Sequence, residues 1–176
     1  MPTVFTHPAP VLAAGFALGS NVISLRLLIA AFIFSILPDF DVVAFKLGIA
    51  YADAWGHRGA SHSLIFALGA GVFGFLIAPL LHSSRKAAFF MLFGAVATHI
   101  LLDAMTSGGL GVAVFWPWDE SRYFLPWRPI RVSPIAPAQF FSARGAQVIL
   151  SELKWVWLPG FSLALVIFLT RKACRK

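Results

Sequence analysis

The chain has 176 residues, of which 59% are hydrophobic and 12% charged, and its mean hydropathy is +0.83. Soluble domains carry about a quarter charged residues, so this composition excludes a disordered chain and argues against an ordinary soluble domain. Fourteen basic residues against seven acidic ones give a net charge of +7, a balance that suits either nucleic acid or anionic lipid headgroups. The single cysteine, Cys174, excludes an intramolecular disulfide and a cysteine-based zinc site. No basic stretch precedes the first apolar run, so the N-terminus does not read as a signal peptide.

Four regions approach the roughly 20 apolar residues that a membrane span needs. The first, residues 10–37, is apolar apart from Ser20, Asn21, Ser24, Arg26 and Ser35. As a single helix its 28 residues would be about 42 Å long, too long for one span. Gly19-Ser20-Asn21 instead predicts a turn between two shorter helices. That hairpin returns Asp39 to the membrane face that holds His7, whereas a single span would separate them. Residues 38–62 are polar, with three acids and two histidines. The uncharged run 63–81 follows, then the basic turn 82–86, then the apolar run 87–102. Residues 107–137, rich in Gly, Pro, Trp and Arg, read as a structured extramembrane loop. Residues 138–154 read as a helix leading into the last apolar run, 155–169. The expected fold is all-α, a polytopic helical membrane protein forming a single domain over 1–176.

Four sets of polar residues sit at the ends of these apolar runs. His99 and Asp103 are four residues apart and share one helical face. An Asp at membrane depth is expensive and marks a functional site by default; the plain alternative is a His–Asp hydrogen bond that locks two helices. Asp39 and Asp41 follow Pro38, and two carboxylates this close repel unless a cation neutralises them. The alternative for either is a solvated loop or a helix cap. His57 and His62 flank a turn at Gly59 and can converge on one ion, although histidines also occur at membrane interfaces without one. His7 gains weight only through the hairpin. His82 falls at the opposite face and is not expected to be a ligand.

Taken together, Thr6-His7, Leu37-Pro38-Asp39-Phe40-Asp41, the run from His57-Arg58-Gly59 to Ser61-His62-Ser63-Leu64, His99 to Asp103, Thr106-x-Gly108 and Trp116-Pro117 resemble the motifs of the YdjM-like family. That family is described as LexA-binding, inner-membrane-associated, metal-dependent hydrolases; the LexA association concerns some members and is not carried over. It is distantly similar to the all-helical zinc-dependent phospholipase C and single-strand nuclease superfamily. The resemblance implies a bacterial-type inner-membrane location and the metal ligands His7, Asp39, Asp41, His57, His62, His99 and Asp103. Three departures stand out. Ser61 replaces a threonine, Pro8 follows the first histidine, and an acid expected in a late helix has Glu152 as its nearest counterpart.

Seven ligands exceed what one tetrahedral ion takes and suit two divalent ions, zinc foremost, with manganese or magnesium as alternatives. Three Asp and two such ions leave a charge of about +1, which attracts an anion. The expected reaction is hydrolysis of a phosphoester, small or lipid-linked, with Arg58 orienting phosphate and Asp41 as the base. Arg122, Arg128 and Arg131 share that face and are read either as phosphate contacts or as headgroup anchors. Trp116, Trp118, Trp127, Trp155 and Trp157 read mainly as an interfacial belt. The expected partners are the lipid bilayer and the substrate, with a protein partner as a further option and no nucleic acid, because the basic residues form no stripe. The rival readings are a membrane metal-binding protein without catalysis and a regulatory scaffold. Lys and Arg divide seven against seven between the two faces; the set in tight turns, Arg26, Arg85, Lys86, Arg171, Lys172, Arg175 and Lys176, reads as cytoplasmic. The site then faces the non-cytoplasmic side.

Overall fold

Gly19 makes the first decision in the chain. Its φ of 72° is open to glycine and strained for other residues, and it ends α1 (Ala9–Leu18) with its N–H on the Gly15 carbonyl. The Ser24 hydroxyl then caps α2 (Leu25–Ile36) by accepting from the Leu27 amide. The N-terminal hairpin is therefore formed. The computed structural model describes residues 1–134 and 140–174. The end of the long loop at 135–137, the start of the expected helix at 138–139, and Arg175 and Lys176 lie outside the described residues.

Pro38 does not end the helical path as a break in an apolar run suggests. Lacking an N–H, it cannot continue the α ladder, and the chain tightens into a 3-10 turn (Leu37–Val42) before the short α3 (Val43–Lys46). Residues 47–63 form a compact loop ending in a 3-10 turn (Ala60–His62). Ser63 caps α4 (Leu64–Ile77), and Ser84 caps α5 (Arg85–Ala104). The α4–α5 hairpin closes tightly because a Cβ on Gly74 would lie 2.6 Å from the Ala88 carbonyl oxygen. After the loop, α6 (Ala143–Glu152) passes through a wide π turn (Leu153–Trp157) into α7 (Leu158–Ala173). The π turn lies just before Pro159, which forbids an ordinary α turn there. Among the described residues there is no β-strand, only the isolated bridges Thr106–Ile130 and Val112–Tyr123.

The main core joins α2, α4 and α5 through Leu27, Ala31, Ala67, Leu92 and Val96. Ala13 and Ala17 of α1 meet Ala164 of α7, small residues that let helices approach closely. The outward faces stay apolar: Ile29 and Ile33 on α2, Leu68 and Leu76 on α4, and Leu163, Val166 and Leu169 on α7 are exposed. Such a surface is buried in lipid. Three helical stretches, Leu25–Lys46, Arg85–Ala104 and Ala143–Ala173, are long and apolar enough to cross a bilayer, while α1 and α4 are shorter. Chain direction alternates, so His7, residues 38–63, the end of α5 and the long loop gather at one end. At the other end Ser24 donates to the Leu81 carbonyl and Arg26 to that of Leu80 at 3.3 Å, joining the two hairpin turns.

Candidate metal centre

Each element delivers its polar group to the same point. His7 precedes α1 by two residues, Asp39 lies in the 3-10 turn beyond α2, His62 ends the loop before α4, and His99 and Asp103 occupy the inward face of α5. All five are buried. His7 Nε2 is 3.4 Å from Asp39 Oδ2 and 3.7 Å from Asp103 Oδ1. His62 Nε2 is 3.3 Å from Asp103 Oδ2, and His99 Nε2 is 3.6 Å from Asp39 Oδ1 and 3.0 Å from His62 Nε2. The His7 and His99 rings stack at 3.7 Å. The hairpin thus brings His7 to Asp39, and ligand atoms of Asp39, His62, His99 and Asp103 all fall within 4.8 Å of one another.

Hydrogen bonds around the cluster settle which ring nitrogens face inward. His99 Nδ1 lies 2.7 Å from the Ser35 carbonyl oxygen, which only accepts, so Nδ1 carries the proton and the neutral ring turns its Nε2 lone pair to the centre. His62 Nδ1 is 3.1 Å from Asp41 Oδ2, which orients its Nε2 inward as well. Asp41 is not among the inward-facing atoms. Its oxygens take His57 Nδ1 at 2.6 Å, the Arg58 amide at 2.9 Å and the Ser61 hydroxyl at 2.7 Å. Asp41 and His57 therefore stand behind His62 in a chain of hydrogen bonds.

Arg58 is fully buried and sits at a φ of 64°, a conformation disfavoured for a residue with a Cβ. Neighbouring Gly59 has no room for a side chain, since a Cβ would lie 2.1 Å from the Ala54 carbonyl oxygen. The Arg58 guanidinium is spread over three partners: Nε is 2.9 Å from Asp103 Oδ2, and the terminal nitrogens donate to the Gly108 carbonyl and the Thr106 hydroxyl, both at 3.1 Å. Thr106 in turn donates to the Asp103 carbonyl at 2.7 Å. The Thr106-x-Gly108 motif is thus the cradle of Arg58.

The residues fit a cation. Both oxygens of Asp39 and of Asp103, and both ring nitrogens of His7, are buried without a hydrogen bond, a costly state for polar atoms unless something else satisfies them. Donors about 2.0 Å from a tetrahedral ion stand about 3.3 Å apart, within the spread of the inward-facing atoms. Burial holds the His7 imidazole down at about 3, so its ring is neutral at pH 7. Burial acts the same way on His62, but Asp103 and Asp41 outweigh it and raise that ring to about 9. The point where His62 meets His99 therefore calls for positive charge, from a proton in the metal-free protein or from a metal ion in its place.

Other expected residues lie elsewhere. Arg122 spends its guanidinium on the carbonyls of His57, Tyr51 and Asp53. Arg128 stacks on Phe124, and Arg131 binds Gln147 at 2.9 Å. His82 lies at the opposite end, beside Ser20 and Asn21. The sequence gives no sign of the part played by Ser35 and names Glu152 without its role. Ser35 is the hydroxyl residue within α2, but nothing in the sequence pairs its carbonyl with a histidine 64 positions away. Glu152 accepts from the Thr3 amide and from the hydroxyls of Thr3 and Thr6, the last two at 2.7 Å, and so fastens the segment leading into His7.

The apolar, span-length helices agree with what the chain is similar to. It is 43% identical over 181 residues to the inner membrane protein YbcI of Escherichia coli strain K12, an alignment covering 98% of this chain and all of YbcI. No solved structure matches it. The model of the YdjM inner membrane protein family matches residues 1–174, and the chain belongs to that family of membrane proteins.

Proposed function

We propose that the protein is a membrane-bound, metal-dependent hydrolase of phosphoesters, with one divalent ion held by His7, Asp39, His62, His99 and Asp103. The observation that carries this reading is the set of buried oxygens of Asp39 and Asp103 facing the Nε2 atoms of three histidines, both of those of Asp39 without a hydrogen bond and one of those of Asp103 paired with Arg58. Charge favours one ion over two. Three carboxylates against the one guanidinium leave −2, which a single divalent ion cancels. Three imidazoles favour zinc or a similar transition ion over magnesium. Such an ion, when bound, supplies Lewis-acid polarisation of a phosphoryl oxygen and acidifies its water to near neutrality. The chain's own residues do the positioning. The Ser35 carbonyl and Asp41 fix the His99 and His62 rings, and Arg58 holds Asp103 while lowering the cost of its buried charge. On this geometry Arg58 and Asp41 are positioning residues rather than the phosphate ligand and the base.

A second reading keeps the metal and drops the reaction. His7, His62, His99 and Asp103 are fully buried, and closed sites are the hallmark of structural metals. One experiment separates these readings. The protein is purified in detergent, and metal per chain is measured for the wild type, His99→Ala and Asp39→Ala, followed by a phosphoester hydrolysis panel. The proposal expects one ion per wild-type chain, its loss in both variants, and metal-dependent hydrolysis. An ion without hydrolysis leaves the structural reading standing, and a wild type without metal overturns both.

A further inference from the structure

Beside the cluster, an open apolar cleft of about 560 Å³ runs between the end of α2 and α4, within the roughly 300–1,000 Å³ range of ligand sites. Phe34 and Leu37 of the α2 side and Ile65 and Phe66 of α4 line it, and Phe34 stacked on Phe73 at 5.7 Å closes one end. From Ile65 to Phe73 the cleft follows about 12 Å of helix. Its polar side chains, Asp41 and Ser61, lie at the other end, where Trp55 and Trp116 meet edge to face at 5.3 Å. That end touches the metal centre: the oxygen of Asp41 that accepts from Ser61 is 3.1 Å from His62 Nδ1.

Gly69 gives a handle on the width of the cleft. A helix-interior glycine costs about 0.5–1 kcal/mol relative to alanine. In α4, Gly71 and Gly74 have packing reasons, since a Cβ at either would press on Phe89 or on the Ala88 carbonyl. A Cβ on Gly69 would meet nothing within 4 Å, and Gly69 lines the cleft. No protein contact requires this glycine, as none requires Gly94 in α5 or Gly160 in α7, and at this position the missing side chain leaves the cleft wider.

We propose that the cleft binds one hydrocarbon chain of an amphiphilic phosphoester, with the chain lying along α4 and the polar head leaving the cleft at the Trp55–Trp116 end. This rests on the reading of the cluster as a hydrolytic centre. The outer walls belong to helices whose exposed faces are apolar, so a chain enters sideways from the bilayer without crossing water, and its head is left at the end of the cleft nearest the centre.

The test is photolabelling of the purified full chain by phosphatidylglycerol carrying a diazirine in its acyl chain, mapped by mass spectrometry, with and without chelator. The expected result is label concentrated on Phe34 and on residues 65–73, well above that on the outward face of α7. Gly69→Leu, whose Cβ meets nothing within 4 Å and whose side chain takes up room in the cleft, lowers this labelling several-fold at unchanged metal content, and Gly69→Ala lowers it less. Gly160→Leu, also placed in open space but on α7, leaves it unchanged. Even labelling of α7 and the cleft, or equal labelling of wild type and Gly69→Leu, overturns the proposal. Labelling that survives in a wild type found to hold no metal upholds the chain site and strikes only the hydrolase reading.

Discussion

Asp41 holds four donors at once: the ring N–H groups of His57 and His62, the Arg58 amide and the Ser61 hydroxyl. Two of these bonds orient histidines that the sequence marks as ligands, and none leaves Asp41 facing the centre. Replacing it by asparagine keeps the size but sets an NH2 group against at least one of those donors and removes the charge that orients His62. Asp41→Asn is expected to fold and to lose metal affinity by about 10- to 100-fold, the usual cost of removing a partner that orients a metal-binding histidine. Competition with a graded series of chelators measures this. An affinity equal to wild type counts against the orienting role, and no detectable metal would return Asp41 to the ligand set. His82→Ala is the matched control; that histidine sits among Ser20, Asn21 and Ser24 at the far end, and its removal should leave metal content unchanged.

The N-terminal segment, α1 and α6 act together on one ligand. His7 takes no hydrogen bond through either ring nitrogen, so its position is set by the backbone ahead of it. Glu152 holds that backbone through Thr3 and Thr6, and Trp157 Nε1 donates to the Thr6 hydroxyl at 2.9 Å. Glu152→Ala leaves these buried donors unsatisfied, at about 1–3 kcal/mol each, and frees His7 to move. The expected outcome is a lower unfolding temperature together with a loss of metal affinity matching that of His7→Ala. The double variant should bind no more weakly than His7→Ala alone, because both changes remove the same ligand; full additivity would show that Glu152 acts by another route. These elements also mark how far the sequence could be read. The hairpin was legible because Gly19-Ser20-Asn21 interrupts an over-long apolar run, and with it the meeting of His7 and Asp39. The inward set on α5 was legible because a spacing of four fixes one face. The division between inward-facing residues and those behind them was not legible, because Asp39 and Asp41 differ only in which side of a 3-10 turn they occupy. Nor was the task of Glu152, whose partners are 146 and 149 positions away; a lone acid in an apolar stretch signals importance without naming a partner.

At the scale of the whole molecule, the acids sort by end while the basic residues divide evenly. The two hairpin turns carry Arg26, Arg85 and Lys86, and the last turn of α7 brings Arg171 and Lys172 against Gly19, Ser20 and Asn21. The buried acids Asp39, Asp103 and Glu152 lie at the opposite end. Basic residues within about 15–20 residues of a span favour the cytoplasmic side, and all those at the hairpin-turn end lie directly beside spans. The hairpin-turn end is therefore predicted to be cytoplasmic and the metal centre to open on the other face. The chain supplies its own probe: Cys174 is its single cysteine, exposed, just beyond the basic turn of α7. A membrane-impermeant maleimide should label it in inverted membrane vesicles and leave it unlabelled in intact spheroplasts until detergent is added. Labelling in intact spheroplasts reverses the orientation and places the centre on the cytoplasmic face, where the phosphoesters within its reach would be those of the inner leaflet. Cys174→Ser removes the signal in every preparation and guards against a contaminating thiol. Because the helices alternate in direction, fixing this one end fixes the side from which every ligand in the centre must be reached.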